Sequence, residues 1–114
     1  MDLNLVVLAG RLAAPAEHRS FESGAEYLRM LVTVRSAAPR RRVDVIPVTL
    51  WDPPSDLISE CVAAGVRLWI AGALQRRFWA ADEGRKSRLE MVAHHVEVRA
   101  AEETALTQSE AGGH

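Results

Sequence analysis

Period-two alternation along YLRMLVTVR, residues 27–35, limits what this chain can fold into more than any other feature. Successive side chains of an extended strand point to opposite faces. Leu28, Met30, Val32 and Val34 therefore face a core, and Arg29, Leu31, Thr33 and Arg35 face away from it. The period recurs in RVDVIPVTLW, with Ile46, Val48 and Leu50 inward and Val45, Pro47, Thr49 and Trp51 outward. It returns in VRLWIAGALQRRFW, where Leu68, Ile70, Gly72 and Leu74 form the inward set and Arg67, Trp69, Ala71, Ala73, Gln75, Arg77 and Trp79 the outward one. RKSRLEMVAHHVEVR closes the series as a last strand.

Two segments differ. LNLVVLAGRLAA is apolar on both alternating faces, which predicts a strand covered on both sides, by its own core and by a second layer or another subunit. DPPSDLISECVAAG loses the period: its prolines end a strand, Ser55 is placed to cap a helix, and Asp56 favours the first turn. Leu57, Ile58 and Val62 supply an apolar side, and Gly65 can supply a left-handed stop. Ser23-Gly24 is a turn signal, and Pro47, which has no N–H to donate, belongs at an edge or a bulge.

The order is three strands, one short helix, two strands. An all-β chain must manage its sheet edges, and a five-stranded Greek-key barrel with a helix between strands three and four is the OB-fold arrangement. With 114 residues there is room for one such domain, over residues 1–99, followed by a short acidic tail over 100–114 that we expect to be flexible. The single Cys61 rules out an internal disulfide, and no segment reads as a signal peptide or membrane span, so a cytoplasmic location is expected.

The net charge of −1 hides a division. Residues 1–99 carry all 14 Lys and Arg against 12 carboxylates, a balance of +2, whereas AAEETALTQSEAGGH has three Glu and no cation. Thirteen of those cations are Arg, which a GC-rich genome would produce without selection, but genome bias does not explain their clustering. LQRRFWAADEGRKSRLE concentrates Arg76, Arg77, Arg85 and Lys86 around Phe78 and Trp79.

Binding of single-stranded nucleic acid needs cations along the phosphates and exposed aromatics under the bases. Trp51 and Trp79 end two strands, and Arg29, Arg35, Arg40, Arg41, Arg42, Arg76, Arg77, Arg85 and Lys86 fall on strand faces or loops near them. Taken singly, either tryptophan is also ordinary hydrophobic cover. Trp69 lies mid-strand, where subunit contact is the better reading. His94 and His95 are adjacent, so regular alternation sends them to opposite faces and prevents joint chelation. No phosphate-binding glycine loop, nucleophile elbow or zinc motif is present, so we expect neither an enzyme nor a cofactor.

In order and spacing, NLVVLAGRL, Glu17 and Arg19 in PAEHR, SGAEYLRMLVTV, VDVIPVTLW, VRLWIAGALQRRFW and RLEMVAHHVEV resemble the bacterial single-stranded DNA-binding proteins over residues 3–99. The resemblance implies an OB-fold assembled as a homotetramer, sometimes through dimers, that wraps single-stranded DNA near the bacterial nucleoid during replication, repair and recombination. It places Trp51 and Trp79 at base-stacking positions, and Arg11, Arg35, Arg76 and Arg77 near the groove. Val45 stands where the family often has a further aromatic, and SAAPRRR lacks another. The tail lacks the acidic tip with a terminal aromatic that docks partner enzymes in the family, which argues against recruitment of such partners. The competing reading, from a different functional class, is an OB-fold protein-interaction module with little DNA binding, similar to a primosome accessory protein.

Overall fold

The computed structural model describes residues 1–61 and 63–99; Val62 and the acidic tail over 100–114 lie outside the described residues. Six strands and one helix follow one another: β1 (Val6–Leu12), β2 (Glu17–Ser20), β3 (Glu26–Ser36), β4 (Arg42–Trp51), α1 (Ser55–Glu60), β5 (Arg67–Ala81) and β6 (Gly84–Arg99). Five of the strands close into a barrel. β1 pairs with β5, β5 with β6, β6 with β4, β4 with β3, and β3 returns to β1 through Arg11–Thr33 and Leu12–Val32. All pairings are antiparallel except β4–β6, where Val48 and Thr49 lie beside Met91 and Val92 in parallel. This is an OB-fold.

The extra strand is β2. Four exposed residues, EHRS, pair with β3 through the turn at Ser23-Gly24. They carry no apolar alternation, so the sequence gives no sign of a strand there. The helix accordingly lies between the fourth and fifth strands rather than the third and fourth, although its place in the chain is as expected. Its N-cap is Pro54, not Ser55, and the Asp56 carboxylate accepts the Leu57 N–H at 3.0 Å. Gly65 has the left-handed φ of +92° but does not stop the helix, which ends at Glu60. Its N–H instead donates to the Leu12 carbonyl at 2.8 Å and ties the loop after α1 to β1.

Leu12, Leu28, Met30, Val32, Val48, Leu50, Leu68, Ile70, Met91, Ala93 and Val96 fill the barrel, and Leu57 and Cys61 close one end. The inward sets of β3, β4 and the first half of β5 are the ones alternation assigns. Burial, with Glu60 adding to it, pushes the Cys61 thiol above its ordinary pKa, as suits a small core residue. Closure requires close approach: a Cβ on Gly72 would fall against the Val92 carbonyl, and one on Gly10 against the Thr33 carbonyl. Pro47 has β3 as its only strand partner among the described residues, the edge setting its missing N–H demands.

Alternation of exposure fails in three places. On β4, Thr49 belongs to the outward set yet is only 3 % exposed, between Arg29 of β3 and Val92 of β6. In β6 a bulge opposite Ala71 and Gly72 leaves His94 without a register partner, so both His94 and His95 are exposed instead of one pointing inward. In β5, Leu74 belongs to the inward set yet is exposed, because the barrel ends there. Beyond it, Gln75–Ala80 and Gly84–Leu89 are exposed on both faces and form a two-stranded arm. A clip marks its base: the Asn4 side chain donates to the Leu74 carbonyl at 2.8 Å and accepts the Leu74 N–H at 2.9 Å. The amide thus imitates one more residue of a neighbouring strand just past the end of β1.

Candidate nucleic-acid interface

Register partners on adjacent strands share a face, so one surface can be followed residue by residue. Tyr27 is beside Trp51, and Arg29 beside Thr49. Thr49 is beside Val92 on β6. From Val92, Glu90, Arg88 and Lys86 continue outward along β6 at period two, beside Ala73, Gln75, Arg77 and Trp79 of β5. Trp51 and Trp79 therefore stand on one continuous outer face, at its β4 edge and at the arm.

Trp51 is 46 % exposed and is held by two aromatic neighbours. Tyr27 meets it edge-on at 5.4 Å, and Phe21 stacks near it at 6.3 Å with 29° between planes. Phe21 also meets Tyr27 edge-on at 5.6 Å, and the Arg19 guanidinium lies 5.5 Å from the Phe21 ring. The β2–β3 hairpin thus supplies a wall that fixes the indole while leaving much of it open. Trp79, 44 % exposed, has the Arg88 guanidinium 5.9 Å from its ring, and Lys86 beside it pairs with Glu83 at 3.3 Å.

Glu90 sits between the two tryptophans and is only 7 % exposed. Its carboxylate is 3.9 Å from the Arg29 guanidinium and 3.5 Å from that of Arg77. Oε2 has no hydrogen-bond partner among the described residues. A buried carboxylate between two guanidiniums aligns both, at the cost of neutralising part of their charge. Arg29 and Arg77 are therefore ordered residues of the floor of this face, not free cations.

The remaining expected residues divide into two further places. Arg76, Phe78 and Arg85 lie on the opposite face of the arm: Phe78 is beside Ser87, Arg76 beside Leu89 and Ala80 beside Arg85. Arg11 and Arg35 line a cavity of about 410 Å³ with Thr33, Gly65 and Arg67. That cavity is at the other end of β3 from Tyr27, eight residues away or roughly 26 Å. Arg40 and Arg41 are exposed in the β3–β4 loop near it. Arg42 is engaged by Asp44 through two hydrogen bonds of 2.8 and 2.9 Å, which hold the Asp44 carboxyl below its usual range.

Arg19, Phe21, Tyr27, Arg88 and Glu90 belong to the face and escape a reading based on strand ends and cation clusters. Tyr27 alone had a signal, since it heads the alternating run opposite Trp51. No group of three or more potential metal ligands occurs among the described residues.

Comparison with known proteins fits this architecture. Residues 3–99 match the single-strand binding protein family. The chain belongs to that family.

Several relatives carry the corresponding name. A Nostoc protein named single-stranded DNA-binding protein 1 is 26 % identical over 80 residues, covering 70 % of this chain and 67 % of its own length. The Treponema pallidum single-stranded DNA-binding protein is 27 % identical over 106 residues, covering 85 % of this chain and 58 % of that protein. The Thermosynechococcus vestitus protein of the same name is 30 % identical over 79 residues, covering 69 % and 66 %. Within the single-strand binding protein family, then, this chain keeps the barrel at low identity and spans a little over half to two thirds of these relatives' length. No helix among its described residues is long and apolar enough to cross a membrane.

Proposed function

We propose that this protein binds single-stranded DNA without sequence preference, residues 1–99 acting as the binding unit, in the setting of DNA replication, repair or recombination. The observation that carries the reading is the shared face of Trp51 and Trp79. Two open indoles, with guanidiniums at Arg29, Arg77 and Arg88 between them, match what a flexible strand offers: stackable bases and regularly spaced phosphates. Every base has a π-face, so such a surface grips any sequence. The family membership and the names of the relatives support the same ligand. Nothing in the face suggests bond-making chemistry, and we assign it a binding role.

Removing both indoles tests this. Trp51→Ala/Trp79→Ala should lose oligo-dT binding by fluorescence anisotropy while its thermal unfolding stays cooperative; full affinity in that variant would refute the site.

We further propose a homo-oligomer, a tetramer or a dimer. Leu5, Val7 and Ala9 of the β1 side and Trp69 and Ala71 of β5 form one outward apolar surface, with Trp69 50 % exposed. Between Val6 and Gly10, β1 has β5 as its only strand partner among the described residues, so one backbone edge is open beside that surface. A second copy supplies both needs. Light scattering should report a mass well above 12.5 kDa; a monomer at all concentrations would contradict the assembly.

A further inference from the structure

We propose that the β5–β6 arm holds single-stranded nucleic acid on both its faces, with Phe78 as a base-stacking platform opposite Trp79. The inference rests on the reading of the Trp51–Trp79 face given above and adds a second contact surface to it. Residues 78 and 79 are consecutive on a regular strand, so their rings leave the ribbon in opposite directions. Phe78 is 51 % exposed, slightly more than Trp79. Its face continues the inward set of the barrel, past the point where the barrel has anything left to cover it.

Charge identifies the occupant. On that face the arm presents Leu74, Arg76, Phe78 and Ala80 from β5, and Arg85, Ser87 and Leu89 from β6. None is acidic. The Arg85 guanidinium lies 4.5 Å from the centre of the Phe78 ring, and Arg76 donates to the Ser87 hydroxyl at 3.2 Å. Among the described residues neither guanidinium meets a carboxylate, in contrast to Arg77 and Lys86 on the other face, which pair with Glu90 and Glu83. Two cations without a carboxylate partner among the described residues, beside an open ring flanked by Leu74 and Leu89, suit a base over the ring and phosphates on the guanidiniums. A purely apolar partner would leave both charges desolvated and unpaired.

Geometry permits both faces to be used by one strand. Past the Asn4 clip on β5 and the Val48–Thr49 pairing on β6, both edges of the arm lack a strand partner among the described residues. A bound strand can cross either edge and pass from the Trp79 side to the Phe78 side. The arm would then work as a post around which the strand turns.

The test uses the whole chain and oligo-dT of two lengths, near the short and long ends of the roughly 4–16 nucleotides that one OB-fold holds. Phe78→Ala should weaken binding of the long strand by roughly 5- to 150-fold, the effect of losing one stacked base, and leave the short strand on the Trp51–Trp79 face unaffected. Arg76→Ser/Arg85→Ser should lower the slope of log affinity against log salt by about 1.4, or 0.7 per phosphate contact, for the long strand only. Photo-crosslinking with iodouracil-substituted strands should label both Trp79 and Phe78. Unchanged long-strand affinity in both variants, with Trp79→Ala still weakened and crosslinks confined to Trp51 and Trp79, overturns the second platform and leaves the first standing. No binding by the unaltered protein overturns both.

Discussion

The two halves of β5 obey the same alternation and come to opposite ends. From Leu68 to Gly72 the inward residues are buried, with β1 on one side of the strand and β6 on the other. From Arg76 to Trp79 the period continues, but β1 has stopped, β4 no longer lies beside β6, and both sets face solvent. Alternation thus specifies which residues share a face, and neighbouring strands decide whether that face is core or surface. The barrel spends its apolar residues on stability, whereas the arm exposes its rings and cations to solvent.

That contrast can be broken first in the barrel. Ile70→Ala removes buried contacts at the centre of the core and should cost about 2–5 kcal/mol in urea unfolding. Phe78→Ala, eight residues on in the same set, should leave the unfolding midpoint where it was. Equal losses at the two positions would mean that the arm is packed. Gly72→Ala comes next: the added methyl would press on the Val92 carbonyl, and we expect about 1–3 kcal/mol of destabilisation, again by urea unfolding.

In the arm the effects should appear in binding. Trp79→Ala should weaken oligo-dT affinity by about 1–3 kcal/mol with stability intact. Glu90→Gln sharpens the comparison at the junction of the two regions. Without the carboxylate, Arg29 and Arg77 keep an amide partner but regain their full charge. Affinity at low salt should rise, and the slope against log salt should steepen by about 0.7 for each guanidinium freed to meet a phosphate. Weaker binding in this variant would show that Glu90 acts chiefly by positioning the two arginines.

The smallest effect concerns Cys61. Because burial raises its thiol pKa, the native protein should resist alkylation at neutral pH, with labelling tracking unfolding. Above the ordinary thiol pKa the unfolded chain ionises while the folded chain stays neutral. This group's contribution to stability should therefore fall as pH rises through that window. Rapid labelling of the folded protein would place Cys61 at the surface.

Much of this architecture was legible in the sequence because period two is a strong signal wherever a strand has one buried face. The inward residues of β3, β4 and the first half of β5, the position of α1 and the two outward tryptophans all follow from it. β2 was not legible: EHRS buries nothing, and its partner is specified by the hairpin turn rather than by hydrophobicity. The bulge at His94 was hidden too, since an extra residue shifts the faces without changing composition. In the site, cation clustering located the arm, but it could not separate Arg77, held by Glu90, from Arg76, which meets no carboxylate among the described residues. That difference depends on which face each residue occupies and on a single buried carboxylate 13 positions from Arg77 in sequence.

The most direct measurement of the central claim is tryptophan fluorescence during titration with oligo-dT and with a matched duplex, each at low and moderate salt. A strand-tracking face built on Trp51 and Trp79 predicts quenching by the single strand alone, weakening as salt rises. Unchanged fluorescence, together with unaltered mobility of labelled single-stranded DNA at low salt, would contradict it and leave the OB-fold as a scaffold for a protein partner.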